Sequence, residues 1–236
     1  MQTPFLPRRV YDNIQEVIKY RNLELVSGDV TKVLSGTGDD AFVNSVQYSG
    51  YIMLEAKDGE AKDRRHPKSM HSGTRSFGTK TIFLLLDQNS THMNSASNFA
   101  SLLNRVPGIK ESRRDYNLDI IVIPYQNPGS NILNKMAEYT FIGAENNGYV
   151  RLQLYRYAWF TSNKMEHVSV TPARIISRTE EQKLCNDIHA NKTSMKNIRV
   201  SDPVAFWLGA EIGDVILQES PSEATIIEPI YMNVRA

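Results

Sequence analysis

SDPVAFWLGAEIGDVILQESPSE, residues 201–223, is the stretch on which the reading of this chain turns. Asp202 carries a helix-capping side chain, and Pro203 suits the first helical position, where a missing N–H leaves nothing unsatisfied. Val204, Ala205, Trp207 and Leu208 supply apolar surface, and Gly209 stands where a left-handed residue ends a helix. The helix this predicts has about two turns. A helix so short does not persist without packing, and Trp207 is the side chain best able to hold it. Gly213-Asp214 predicts a turn into a strand at Val215–Gln218, and Ser220-Pro221-Ser222 predicts the next turn.

Upstream, the chain divides by pattern. Val10, Ile14, Val17 and Ile18 fall at helical spacing and predict an amphipathic helix over Tyr11–Asn22. Ser35–Asp40 reads as a loop, because it has neither a P-loop lysine nor dinucleotide-type glycine spacing. Tyr51–Glu55 reads as a strand. Lys57–Lys80 follows with seven lysines and arginines against three acids, an exposed basic insertion between two strands. His66 and His71 within it lack a third nearby ligand, so no metal site is predicted there.

Thr81–Leu86 and Leu118–Ile123 are continuous apolar runs, as in strands covered on both faces. Phe99, Leu102, Leu103 and Val106 predict a helix stopped by Pro107-Gly108, and Ile132, Leu133 and Met136 predict another. Tyr149–Trp159 alternates Val150, Leu152 and Leu154 with Arg151, Gln153 and Tyr155, a strand with one face to water. Strand and helix in alternation give an α/β layer with helices against it. The pattern breaks between Trp159 and Glu166. The expected fold class is α/β (α+β): a domain over residues 1–160 with a mixed sheet and flanking helices, then a small α+β domain over 161–236. In the second, Thr179 with Gln182 predicts a capping box, and Leu184, Cys185 and Ile188 an apolar stripe.

The bulk properties are those of a soluble globular protein: 236 residues, 41% hydrophobic, 22% charged, net charge +1. That balance argues against a whole surface built to grip nucleic acid, though a local patch stays open. A single cysteine, Cys185, excludes an internal disulfide and fits a reducing compartment. No apolar run approaches the ~20 residues of a membrane span, and the N-terminus has no signal-like apolar segment.

The spacing of Asp202, Pro203, Val204, Ala205, Gly209, Gly213, Val215, Pro221, Ser222, Glu223 and Tyr231 resembles the C-terminal assembly domain of the fifth-largest subunit shared by the nuclear RNA polymerases, a domain with a counterpart in the archaeal RNA polymerase. Glu166-His167, Pro172 and an acidic helix near Thr179 resemble the opening of that domain. The N-terminal order is similar to the family's jaw. The resemblance implies a non-catalytic subunit with no cofactor and no metal. Its C-terminal domain would dock on the largest subunit, beside other polymerase subunits, through Asp202, Pro203, Val204, Gly209, Gly213, Pro221, Ser222 and Tyr231. It further implies that Asn127, Pro128, Gly129 and Ser130, at the place of a family loop near downstream DNA, contact duplex phosphates without reading sequence. An ordinary strand-to-helix turn with a capping serine is the alternative for that loop.

The chain departs from the family by carrying Phe206, Glu211, Ile212, Ser220 and Met232 where basic residues are usual. Pro229 also enters an expected strand, as at an edge or break. Lost positive charge alters the acidic surfaces the domain can meet. The expectation is a specialised paralogue from a divergent eukaryote or a large DNA virus, serving one polymerase, polymerase I first. Localisation would then be nuclear, and nucleolar for polymerase I. A stand-alone nuclease-like enzyme is the competing class, with Asp87 and Glu55 as strand-end carboxylates. Cys185 and His189, four apart on one expected helix, are a weaker nucleophile and base pair.

Overall fold

The computed structural model describes residues 7–27, 51–58, 78–86, 91–111, 114–139, 148–167, 170–220 and 228–235. Ser35–Asp40, His66, His71, Asp87, Pro221, Ser222 and Glu223 lie outside them. The structure is α+β and divides into two compact units, one ending at Ser162 and the next running from Asn163.

The first unit is built on a five-stranded mixed sheet in the order β1 (Leu23–Ser27), β2 (Tyr51–Asp58), β3 (Gly78–Leu86), β4 (Tyr116–Ile123), β5 (Val150–Leu154). β1, β2 and β3 pair antiparallel, and β3, β4 and β5 run parallel. Each parallel step is bridged by a helix, α2 (Ala96–Leu103) and α3 (Ser130–Tyr139). Their apolar sides pack on one sheet face, where Phe99, Leu102, Leu103, Ile132 and Met136 meet Ile82, Leu84, Ile120 and Val122. α1 (Pro7–Tyr20) buries Val10, Ile14 and Val17, and Asn13 donates from Nδ2 to the Phe160 carbonyl at 2.7 Å.

The two apolar runs are central strands buried on both faces, as their composition implies. Other bounds differ from the sequence reading. α1 starts earlier and stops at Tyr20, since Asn22 has a left-handed φ of 53°. α2 ends at Leu103, with Asn104 as its cap, well before Pro107. β2 continues to Asp58 and β3 begins at Gly78, so Lys57 and Lys80 are cross-strand partners and only the residues between them connect the hairpin.

The expected strand over Tyr149–Trp159 is shorter. β5 ends at Leu154 and a 3-10 turn occupies Tyr157–Phe160. Its polar side is also not a water face. Arg151 donates to the buried carboxylate of Asp119 through Nε at 3.1 Å and through the terminal nitrogen at 2.8 Å. Arg21, at the end of α1, stands 3.9 Å from the same carboxylate. Asp119 alternates with Leu118 and Ile120, so it faces away from α2 and α3. A charge inside a doubly covered strand requires such partners.

The second unit is a four-stranded sheet in the order β6 (Ala173–Ile175), β8 (Val215–Ser220), β9 (Glu228–Arg235), β7 (Lys196–Arg199). Helix α5 (Pro203–Leu208) contributes Ala205 and Leu208 to one core, with Ile216, Met232 and Val234. Helix α4 (Arg178–Asp187) contributes Leu184 to the other, with Ile176, Val215, Leu217 and Tyr231. Pro229 does not interrupt β9. It pairs with Glu219, whose own N–H goes to Pro172, so the prolyl nitrogen faces away from β8 at a level that β7 does not reach.

α4 corrects three expectations. Its capping box is Ser177 with Glu180, two residues before the expected pair. No residue of the helix is buried, and Ile188, half-exposed, is its C-terminal cap rather than part of an apolar stripe. His189 leaves the helix with a φ of 50°, so it does not share a helical face with Cys185.

The box is electrostatically reinforced. Arg174 donates to both Glu180 oxygens at 3.0 and 2.8 Å, and Ser177 N–H donates to Glu180 at 2.9 Å. First the arginine and then the backbone donor hold the Glu180 carboxyl down at about 2. A depressed folded-state pKa stabilises above the unfolded glutamate pKa and loses that contribution as pH falls from about 4.5 through about 2. An NMR titration should give Glu180 a midpoint near 2, and Glu180→Gln should remove the associated pH dependence. A midpoint in the ordinary glutamate range would contradict the assignment. The pair is exposed, so its effect on stability is small, whereas Ser177→Ala should destabilise by about 1 kcal/mol.

Candidate functional site

Two surfaces collect the residues to which the sequence points. The first is the loop after β4. Parallel strands bring their carboxyl ends to one edge of the sheet, and connections leaving that edge are the usual ligand-facing elements of such layers. Ile123 and Pro124 are buried, Tyr125 half-buried, and Gln126, Asn127, Gly129 and Ser130 exposed. Pro128 is half-buried. Ser130 is the first residue of α3 and not its cap. The carbonyl of Gly129 accepts from Ile132 at 3.0 Å and from Leu133 at 3.4 Å. Residues 126–131 carry no charge. Nothing within them repels a phosphate, and the amide and hydroxyl of Asn127 and Ser130 can both donate. Tyr125 meets the buried Tyr157 edge-on, with centroids 5.2 Å apart, which ties the base of the loop to the turn after β5.

The second surface belongs to the C-terminal unit, where local chemistry sets every bend of 202–215. The Asp202 carboxylate accepts from Val204 N–H at 2.8 Å, Pro203 opens α5, and Gly209 closes it at φ 66°. Ala205, Phe206, Trp207 and Leu208 are all buried, so the short helix has no watery side. Gly213, at φ 96°, donates to the Val234 carbonyl at 2.9 Å. The Asp214 carboxylate accepts from Glu211 N–H at 2.8 Å, and Lys192 Nζ donates to the Gly213 carbonyl at 2.7 Å while pairing with Glu181 at 3.1 Å. This turn is clamped from its own sequence and from the α4 side.

The expected interface residues therefore separate by role. Asp202, Pro203, Gly209 and Gly213 set backbone geometry, and Val204, half-buried, packs on the core behind α5. Tyr231, also half-buried, packs on the opposite face. Of the positions that depart toward apolar residues, Phe206 and Met232 are buried, while Ile212 is 57% exposed. Glu55 is partly buried and stands 3.9 Å from Lys80. Among the described residues, no group of three histidines, cysteines or carboxylates is placed to hold a metal ion. No described helix is long and apolar enough to cross a membrane. The Arg21–Asp119–Arg151 network and the Lys192 clamp were missed in the sequence reading. The signal for the first was a lone aspartate within the run Leu118–Ile123.

The second unit is a small sheet with one helix on each face, and in the first unit the loop after β4 is exposed and uncharged. Residues 162–226 match the family model described as RNA polymerase Rpb5, C-terminal domain. The DNA-directed RNA polymerase RPB5 homologs of two African swine fever virus isolates, one from a South African tick and one from a Namibian warthog, are each 22% identical over 219 residues. The alignments cover 93% of this chain and 92% of each relative. The domain match and the whole-chain likeness agree in supporting an Rpb5-like RNA polymerase subunit.

Proposed function

We propose that the chain is a non-catalytic subunit of a DNA-directed RNA polymerase, docking on the largest subunit through residues 161–236 and supporting downstream duplex DNA through Asn127–Ser130. The observation that carries this reading is the Rpb5-type match over 162–226, which falls on the unit whose bends are set by Asp202, Gly209 and Gly213. Whole-chain coverage in the viral relatives supports extending the reading to the first unit. Deleting residues from Glu166 onward should abolish co-purification with the polymerase's largest subunit in the cell of origin. Normal recovery of the truncated chain would contradict the docking role.

For the loop, exposure and the absence of charge support weak phosphate contacts that carry no sequence information. Replacing Asn127 and Ser130 together by alanine should weaken retention of downstream DNA modestly, since each neutral hydrogen bond contributes about 0.5–1.5 kcal/mol. Complete loss of transcription from that pair would mean that the loop does something else.

A subunit of one polymerase is free of the several docking constraints a shared subunit must satisfy, and the exposed apolar Ile212 fits that freedom. Its enzyme would be either polymerase I, with nuclear and specifically nucleolar localisation, or a virus-encoded polymerase, which the viral relatives favour. Identification of the large subunit recovered with a tagged chain separates the two. Recovery of the largest subunits of all three nuclear polymerases would exclude a dedicated role.

A further inference from the structure

Among the described residues β7 is an edge strand, paired with β9 alone. Val200 N–H donates to the Arg235 carbonyl at 2.7 Å, which fixes the phase of the ladder. In a parallel pair, successive residues turn their main-chain groups to opposite sides. Lys196 and Ile198 therefore direct theirs at β9, and Asn197 and Arg199 direct theirs outward. The Arg199 carbonyl is taken by Asp202 N–H at 2.9 Å. Both main-chain groups of Asn197 and the N–H of Arg199 remain on the outer edge, with no described strand beside them. The side chains of Lys196, Asn197 and Arg199 are exposed.

Charge marks the same edge. Arg199 and Arg235 are register partners, so their side chains leave the same face of adjacent strands, an arrangement that is unfavourable for like charges. Lys196 stands at the other end of β7. Among the described residues, no ion pair reaches Lys196, Arg199 or Arg235, although nearby Lys192 is paired with Glu181. Arg235 donates to the Thr193 carbonyl at 3.3 Å, a neutral partner. Cations on an open edge repel a second copy of that edge. They also select an extended segment bearing carboxylates, because main-chain pairing supplies affinity while side chains supply choice.

We propose that the β7 edge is the docking line for an acidic extended segment of another polymerase subunit, added to the sheet as a fifth strand with carboxylates against Arg199, Arg235 and Lys196. The proposal rests on the subunit reading above and names the chemistry of the partner. Duplex DNA would meet the charges but would have no use for the exposed main-chain groups.

The test is a tagged full-length chain carrying the photo-crosslinking residue p-benzoylphenylalanine in place of Asn197, purified with its complex and mapped by mass spectrometry. The expected product joins position 197 to an acidic segment of a polymerase subunit. The yield of that product should fall about tenfold in R199E/R235E and persist in R199K/R235K, as expected of a charge-selected contact. Crosslinks to nucleic acid, to a second copy or to a segment without acids would overturn the proposal. So would an unchanged yield in R199E/R235E, or no crosslink from a chain that does co-purify with polymerase subunits. Absence of every polymerase subunit from the purified material would instead overturn the functional reading, and this one with it.

Discussion

Asp119→Ala is expected to lower the unfolding free energy by about 3–5 kcal/mol, the usual result of removing one member of a buried ion pair. The size of the effect comes from what is left behind. Asp119 is 2% exposed, and Arg21, buried just after α1, would lose the carboxylate that stands 3.9 Å from it. Arg151 is partly exposed and can turn to water, so Arg151→Ala should be the milder change. Urea denaturation followed by circular dichroism compares the two. Equal, small effects would mean that the network does not hold α1 to the sheet. Tyr155 lies in the field of the same three groups, and burial is the main cause of its raised phenol pKa.

The second large effect belongs to the C-terminal unit. Trp207→Ala should destabilise by about 3–5 kcal/mol, the range for truncating a fully buried aromatic side chain. Trp207 is inaccessible to solvent, and α5 has only six residues, so the helix has little propensity of its own to fall back on. Trp159→Ala, at a half-exposed site, should be considerably milder. Urea unfolding of the two variants, read by hydrogen exchange at β8 and β9, separates loss of this unit from global loss. Retained protection in Trp207→Ala would show that the tryptophan fills space without organising the sheet.

How far each feature could be read in advance follows from the range of the forces behind it. The stretch around Asp202 and Gly209 was legible because cap, first-turn proline and left-handed glycine each act within a few residues. The central strands were legible because burial on both faces leaves an unbroken apolar run. Arg151 was read as water-facing because its partner is on another strand, and alternation alone cannot tell a wet face from an ion-paired one. Ser177 and Glu180 outcompeted Thr179 and Gln182 as the capping box because Arg174, the middle residue of β6, draws Glu180 into place. Sequence spacing permitted both choices. For the loop at Asn127, the sequence located the turn and its exposed polar groups, yet exposure alone does not say what touches them. The outward phase of β7 was beyond reach, since it depends on which neighbour the strand finds.

The register of β2 and β3 has one practical corollary. Lys57 and Lys80 are opposite one another, so the highly cationic segment departs from and returns to neighbouring positions at one end of the sheet. Its span does not set how the strands align, because shortening a connection between fixed anchors changes chiefly a slowly varying closure entropy. Whatever duty those cations perform can thus be excised, transplanted or swapped as a cassette while β2 and β3 keep their pairing.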